Sequence, residues 1–132
     1  MKNILLLSFL FFAAMGFSQD KPIEVPKILV KVSLGETVQF QKASVKFLKV
    51  LEDSRCPSDV TCVWEGQAKV LVEVTETGKE PKHAELLYGK IKITTLFSSE
   101  GYMLQGISLS PYPTTDIMGK MDYSLLVSEE GN

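Results

Sequence analysis

The chain has 132 residues, 45% of them hydrophobic, with 14 Lys and Arg against 16 Asp and Glu and a formal net charge of −2. That length suits one domain with a modest core, and interspersed charges with a single arginine, Arg55, provide no cluster of guanidinium donors for phosphates, so nucleic-acid binding is excluded. One histidine, His83, and two cysteines, Cys56 and Cys62, fall short of a four-ligand zinc set, so neither a metal nor a cofactor is expected.

The N-terminus reads as an export signal. Lys2 supplies a positive start, Ile4 to Ala14 is an apolar run broken only by Ser8, and Gly16-Phe17-Ser18 places small residues where a signal peptidase reads. The reading is a signal peptide over residues 1–18, cleaved between Ser18 and Gln19, and one β-sandwich-like domain over 19–132. The apolar run is shorter than the roughly 20 residues that span a bilayer, and no cysteine follows it to carry an acyl chain. The mature protein is therefore expected to be periplasmic or secreted, with no stable membrane anchor.

Beyond the leader, apolar residues recur with period two, and turn residues interrupt them at short intervals, which predicts strands. Ile28, Val30 and Val32 share one face; Leu34-Gly35-Glu36 turns the chain; Val38 and Phe40 alternate with Thr37 and Gln39, and the polar stretch from Gln41 to Ser44 closes a hairpin-like unit. A third strand starts at Val45 and Phe47, and its apolar parity shifts at Leu48 and Val50, the mark of a β-bulge or of a strand buried on both faces. Ala68, Val70, Val72 and Val74 give the cleanest alternation, against Lys69, Glu73 and Thr75. After a turn at Thr77-Gly78-Lys79-Glu80-Pro81, one segment runs through Leu87, Ile91 and Ile93, with Gly89 a bend. Tyr102 and Leu104 have even parity but Ile107 and Leu109 odd, so a bulge is predicted at Gly106. Pro111-Tyr112-Pro113 opens a long connection through Met121; Tyr123, Leu125 and Val127 form the last strand, and the tail from Glu129 reads as frayed. The fold class is all-β: an antiparallel sandwich or small barrel of about seven strands, with one disulfide-closed loop.

That loop lies within Asp53-Ser54-Arg55-Cys56-Pro57-Ser58-Asp59-Val60-Thr61-Cys62-Val63-Trp64-Glu65-Gly66, which also holds the only Arg and the only Trp of the chain. In an oxidising compartment Cys56 and Cys62 read as a structural disulfide; five intervening residues are more than the two of thioredoxin-like redox sites. Asp53, Arg55, Asp59, Trp64 and Glu65 form a candidate binding or structural cluster. For Arg55 the plainer reading is an ion pair ordering the loop, and for Trp64 a core anchor packed over the disulfide.

The run Asp53-Ser54-Arg55-Cys56-Pro57, with Val60, Cys62-Val63-Trp64, Gly66 and Ala68-x-Val70, resembles the signature of a group of small bacterial secreted or lipid-anchored proteins of unassigned function. Pro111-Tyr112-Pro113 and Tyr123-Ser124-Leu125 match the later part of that group. The resemblance implies the β fold and export, and it brings no activity; the lipid-anchored members carry a cysteine that this chain lacks.

For catalysis the inventory is thin. His83 follows Pro81-Lys82 in a polar turn, no nucleophile elbow is present, and no carboxylate spacing announces acid–base chemistry, so no catalytic residue is assigned. The leading expectation is an exported non-catalytic binding or interaction module of the cell envelope, contacting a protein or small ligand. Two alternatives stand beside it: a secreted peptidase inhibitor presenting the Arg55-Cys56 loop, and a small carboxylate-dependent hydrolase, which a deep acidic pocket would favour.

Overall fold

The computed structural model describes residues 26–89 and 93–131. The leader over 1–18 with its cleavage point, and Lys90, Ile91 and Lys92, lie outside the described residues. Eight strands form among the described residues: β1 (Lys27–Ser33), β2 (Thr37–Gln39), β3 (Ala43–Asp53), β4 (Ala68–Glu76), β5 (Lys82–Tyr88), β6 (Thr94–Ser99), β7 (Tyr102–Ser110) and β8 (Ser124–Gly131). They make two antiparallel four-stranded sheets, ordered β1-β8-β7-β6 and β2-β3-β4-β5, and the described residues hold no α-helix. The protein is an all-β sandwich.

Period-two burial builds the core. On β4, Ala68, Val70, Val72 and Val74 are buried while the residues between them are half-exposed. Their row faces Val32, Leu104, Leu125 and Val127 of the other sheet across one continuous cluster with Val45, Phe47 and Leu86. Phe47, Leu86, Leu104 and Leu125 are among the largest fully buried side chains, each contributing about 1.5–3 kcal/mol over the exposed state. The register of β3 on β4 shifts between Phe47 and Lys49 and again between Val50 and Glu52, and that of β7 on β8 shifts between Gly106 and Ser108, where the changes of apolar parity placed bulges.

Three strand-level expectations are corrected. β1 and β2 do not form a hairpin: β1 pairs along its length with β8, and β2 pairs with β3. The turn after β1 is a corner between the sheets. Gly35, at φ +84°, donates its N–H to the Phe47 carbonyl at 2.7 Å, and the Glu36 carboxylate accepts from the Ser33 N–H at 2.8 Å. The segment through Leu87 and Ile93 is not one strand: β5 ends at Tyr88 in one sheet and β6 begins at Thr94 in the other, which raises the count among the described residues from about seven to eight. The tail from Glu129 is not frayed: β8 runs to Gly131, and Glu129 is only 8% exposed. Its carboxylate accepts from the Tyr102 hydroxyl at 2.6 Å and from the Gln41 N–H at 3.0 Å, which satisfies a group that burial alone would penalise. Burial, reinforced by the bond to Glu129, pushes the Tyr102 hydroxyl up to about 12.

Candidate functional site

The cysteine stretch links β3 to β4 at one end of the sandwich, and it is held from three directions. Within the loop the two arms continue the ladder past the strand ends: the Ser54 N–H donates to the Gln67 carbonyl at 2.8 Å and the Cys56 N–H to the Glu65 carbonyl at 2.8 Å. The arms come so close that a Cβ on Gly66 would stand 1.7 Å from the Ser54 carbonyl oxygen, and Gly66 has φ +67°, so glycine is required on both counts. Cys56 and Cys62 are disulfide-bonded, with Cα atoms 6.0 Å apart, inside the usual range.

The second hold is Arg55, 5% exposed. Its Nε and Nη2 donate to the two carboxylate oxygens of Asp53 at 2.8 and 2.7 Å, a bidentate pair. Nη1 reaches the Leu109 carbonyl at 3.1 Å and Nη2 the Pro111 carbonyl at 3.0 Å, so the guanidinium ties the loop to the end of β7 in the opposite sheet. The Tyr112 ring lies 5.1 Å from the guanidinium carbon, and the Tyr123 hydroxyl donates to Asp53 at 2.9 Å. Burial pushes the Asp53 carboxyl up, but the hydrogen bonds from Arg55 and Tyr123 and the Arg55 charge outweigh it and hold the group below the ordinary carboxylate value. Tyr123 responds in the opposite sense: burial first, then its bond to Asp53, push its hydroxyl up to about 12.

Asp59 is the third hold. Its carboxylate accepts from the Thr115 N–H at 3.0 Å and from the Thr115 hydroxyl, while the Ser58 N–H donates to the Pro113 carbonyl at 3.0 Å. The Thr115 bonds lower the Asp59 pKa. The Pro111-Tyr112-Pro113 connection therefore serves as the dock for the cysteine loop.

Three apolar side chains are among those the holds leave outside. Val60 is 47% exposed, Trp64 67% exposed, and Val63 fully exposed. The expectation of Trp64 as a core anchor over the disulfide is corrected, and the reason is local. Trp64 has the parity of Gly66 and Ala68, but β4 begins only at Ala68 and the left-handed φ of Gly66 breaks the alternation before it reaches the tryptophan. The inward space at this end is taken by Arg55 and by fully buried Pro113.

Of the sequence-derived cluster, Asp53 and Arg55 come together in the interior, Asp59 is used at the loop edge, and Trp64 and Glu65 face solvent. An inhibitor loop with Arg55 as its specificity side chain has no exposed arginine to offer. The Asp53 carboxylate is ionised and engaged by Arg55 and Tyr123, an arrangement that suits an anchor and not a general base. His83 is not in a turn: it lies on β5, exposed, 3.1 Å from Glu73 on the neighbouring strand. Sequence reasoning missed Leu109, Pro111, Tyr112, Thr115 and Tyr123 as partners of the cluster. The one signal in the sequence was the Pro111-Tyr112-Pro113 run. Comparison with protein families, curated proteins and solved structures returns no match.

Proposed function

We propose that the protein is an exported, non-catalytic binding module of the cell envelope, and that the tip of the disulfide-clipped loop docks into an apolar pocket of a partner protein. The observation that carries this reading is an exposed Val63-Trp64 pair on a loop whose base is fixed by a disulfide, a buried Arg55–Asp53 pair and the Asp59–Thr115 bonds. Single exposed apolar residues are ordinary, but adjacent ones with Val60 on a stiffened loop are the anchors that interfaces favour, and rigidity lowers the ordering cost of docking. Asp59 and Glu65 lie in the same loop as the tip, and the loop's one cation is neutralised by Asp53. That charge suits a pocket with a basic rim and opposes contact with an anionic lipid surface. Export is supported by the leader and by the disulfide, which belongs to an oxidising compartment.

The test places a photo-crosslinking phenylalanine analogue at position 64 and, as a control, at Leu29, an exposed apolar residue on β1. The expected result is a discrete adduct from position 64 alone, competed away by added unlabelled wild-type domain and not by the Trp64→Ala domain. Equal labelling from both positions, or no adduct from position 64, overturns the reading. Intact mass of the recovered protein, expected to begin at Gln19, tests the export.

A further inference from the structure

The open edge of the sandwich, away from the cysteine loop, is built differently from the rest of the core. Along the paired register of β4 and β5, Val74, Val72, Val70 and Ala68 stand opposite Lys82, Ala84, Leu86 and Tyr88. The β4 members are buried, as are Leu86 and Tyr88, so Lys82 and Ala84 continue a row that points between the sheets. This row brings in an alanine and then a lysine where the pattern calls for larger apolar residues. The facing edge strand, β6, supplies half-buried Leu96 and Phe97 next to a register shift between Thr95 and Phe97. Between them lies a cleft of about 410 Å³ with Val74, Ala84, Leu96 and Phe97 on its walls and Lys82 at its mouth. That volume is within the range of small-molecule sites.

The charges at the mouth select among ligands. Lys79 pairs with Glu76 at 2.8 Å and His83 meets Glu73 at 3.1 Å; of the two lining charges without an ion pair among the described residues, Glu80 lies exposed in the turn before β5, whereas Lys82 stands on the strand and continues the inward row. An inward-facing lysine also protects an edge strand from pairing with another chain. That role needs no hollow beneath the lysine; a core filled up to Lys82 would serve it equally, and here small Ala84 leaves the space open. From the apolar walls and the uncommitted ammonium above them, we infer that the cleft binds an amphipathic monocarboxylate, its hydrocarbon part between β5 and β6 and its carboxylate against the Lys82 Nζ. The inference is independent of the loop reading above, because the two surfaces share no residue.

Dodecanoate, titrated below its micelle concentration into the folded protein and followed by amide chemical shifts, is the probe. The expected result is saturable binding with shifts at Ala84, Leu96 and Phe97. Lys82→Glu, an exposed position, should weaken binding by about tenfold or more, and Ala84→Phe should abolish it while the melting temperature holds. Trp64→Ala should bind dodecanoate as the wild type does. Dodecylamine binding as tightly as dodecanoate, shifts centred on the cysteine loop, affinity indifferent to both cleft substitutions, or no saturation at millimolar concentration would each overturn the assignment. If Ala84→Phe fails to fold, Lys82→Glu alone decides.

Discussion

Arg55→Ala removes one side chain and strands three groups. The Asp53 side chain is 7% exposed and would keep only the Tyr123 hydroxyl as a side-chain donor, and the carbonyls of Leu109 and Pro111 would lose the donors that now reach them. Removing one member of a buried pair typically costs about 3–5 kcal/mol, because the partner's charge remains out of water, and such a domain has about 5–15 kcal/mol in all. The loss should appear in urea unfolding followed by far-ultraviolet circular dichroism, as a lower midpoint with an unchanged slope. Adding Asp53→Asn removes the stranded charge and should return part of the loss. Acidification supplies a second reading. Asp53 has a folded pKa depressed below its unfolded value of 3.8, so its contribution is present above that value and lost as pH falls through the folded one. The gap between wild type and Arg55→Ala should therefore narrow on acidification. A loss below about 1 kcal/mol at neutral pH, the magnitude of a surface pair, would refute the view of Arg55 as the bolt between the sheets.

Trp64→Ala should leave the melting curve within about 0.5 kcal/mol of wild type, as surface substitutions do, and the single tryptophan should be quenched freely by acrylamide; a large destabilisation would mean that it packs. Gly66→Ala should cost more than about 3 kcal/mol in denaturant unfolding, since strain at positive φ adds to a collision with the Ser54 carbonyl. Reducing the disulfide should lower stability by about 2.4 kcal/mol on the chain-entropy estimate for a loop of about seven residues, or less if the bonds of Arg55 and Asp59 hold the loop closed; calorimetry with and without reductant measures it. At alkaline pH, Tyr123 and Tyr102, with folded pKa values pushed up to about 12 from 10.0, contribute stability that is full below the unfolded value and lost as pH rises through the folded one. Tyr123→Phe should flatten that alkaline decline in a pH series of melting temperatures.

The sandwich was legible wherever burial is one-sided and local. The β4 alternation and both parity slips translate directly into register, because a residue inserted in one strand turns every later side chain over. The disulfide was legible from spacing and compartment. The end of β5 at Tyr88 was not, since nothing in an alternating pattern states that the next strand, β6, belongs to the other sheet. Glu129 read as part of a polar tail because its partners, Tyr102 and Gln41, are 27 and 88 residues away. Trp64 was misread for a related reason: residue type favours burial, and one glycine two positions later decides otherwise. Arg55 was recognised as a structural ion pair, but its reach to Leu109 and Pro111 depends on how the sheets stack.

The pairing of β1 with β8 bears on the order of assembly. All seven residues of the first strand find their ladder partners in the last, from Lys27 opposite Glu130 to Ser33 opposite Ser124. β2 through β5 form their sheet from neighbours in sequence and can pair as they emerge from the ribosome. The other sheet has an interior gap until β8 is made, since β8 separates β1 from β7. A growing chain therefore holds β1 unpaired, with Ile28 and Leu29 on it, until β8 is made, and only then does that half of the sandwich close. A chain in that condition is still threadable.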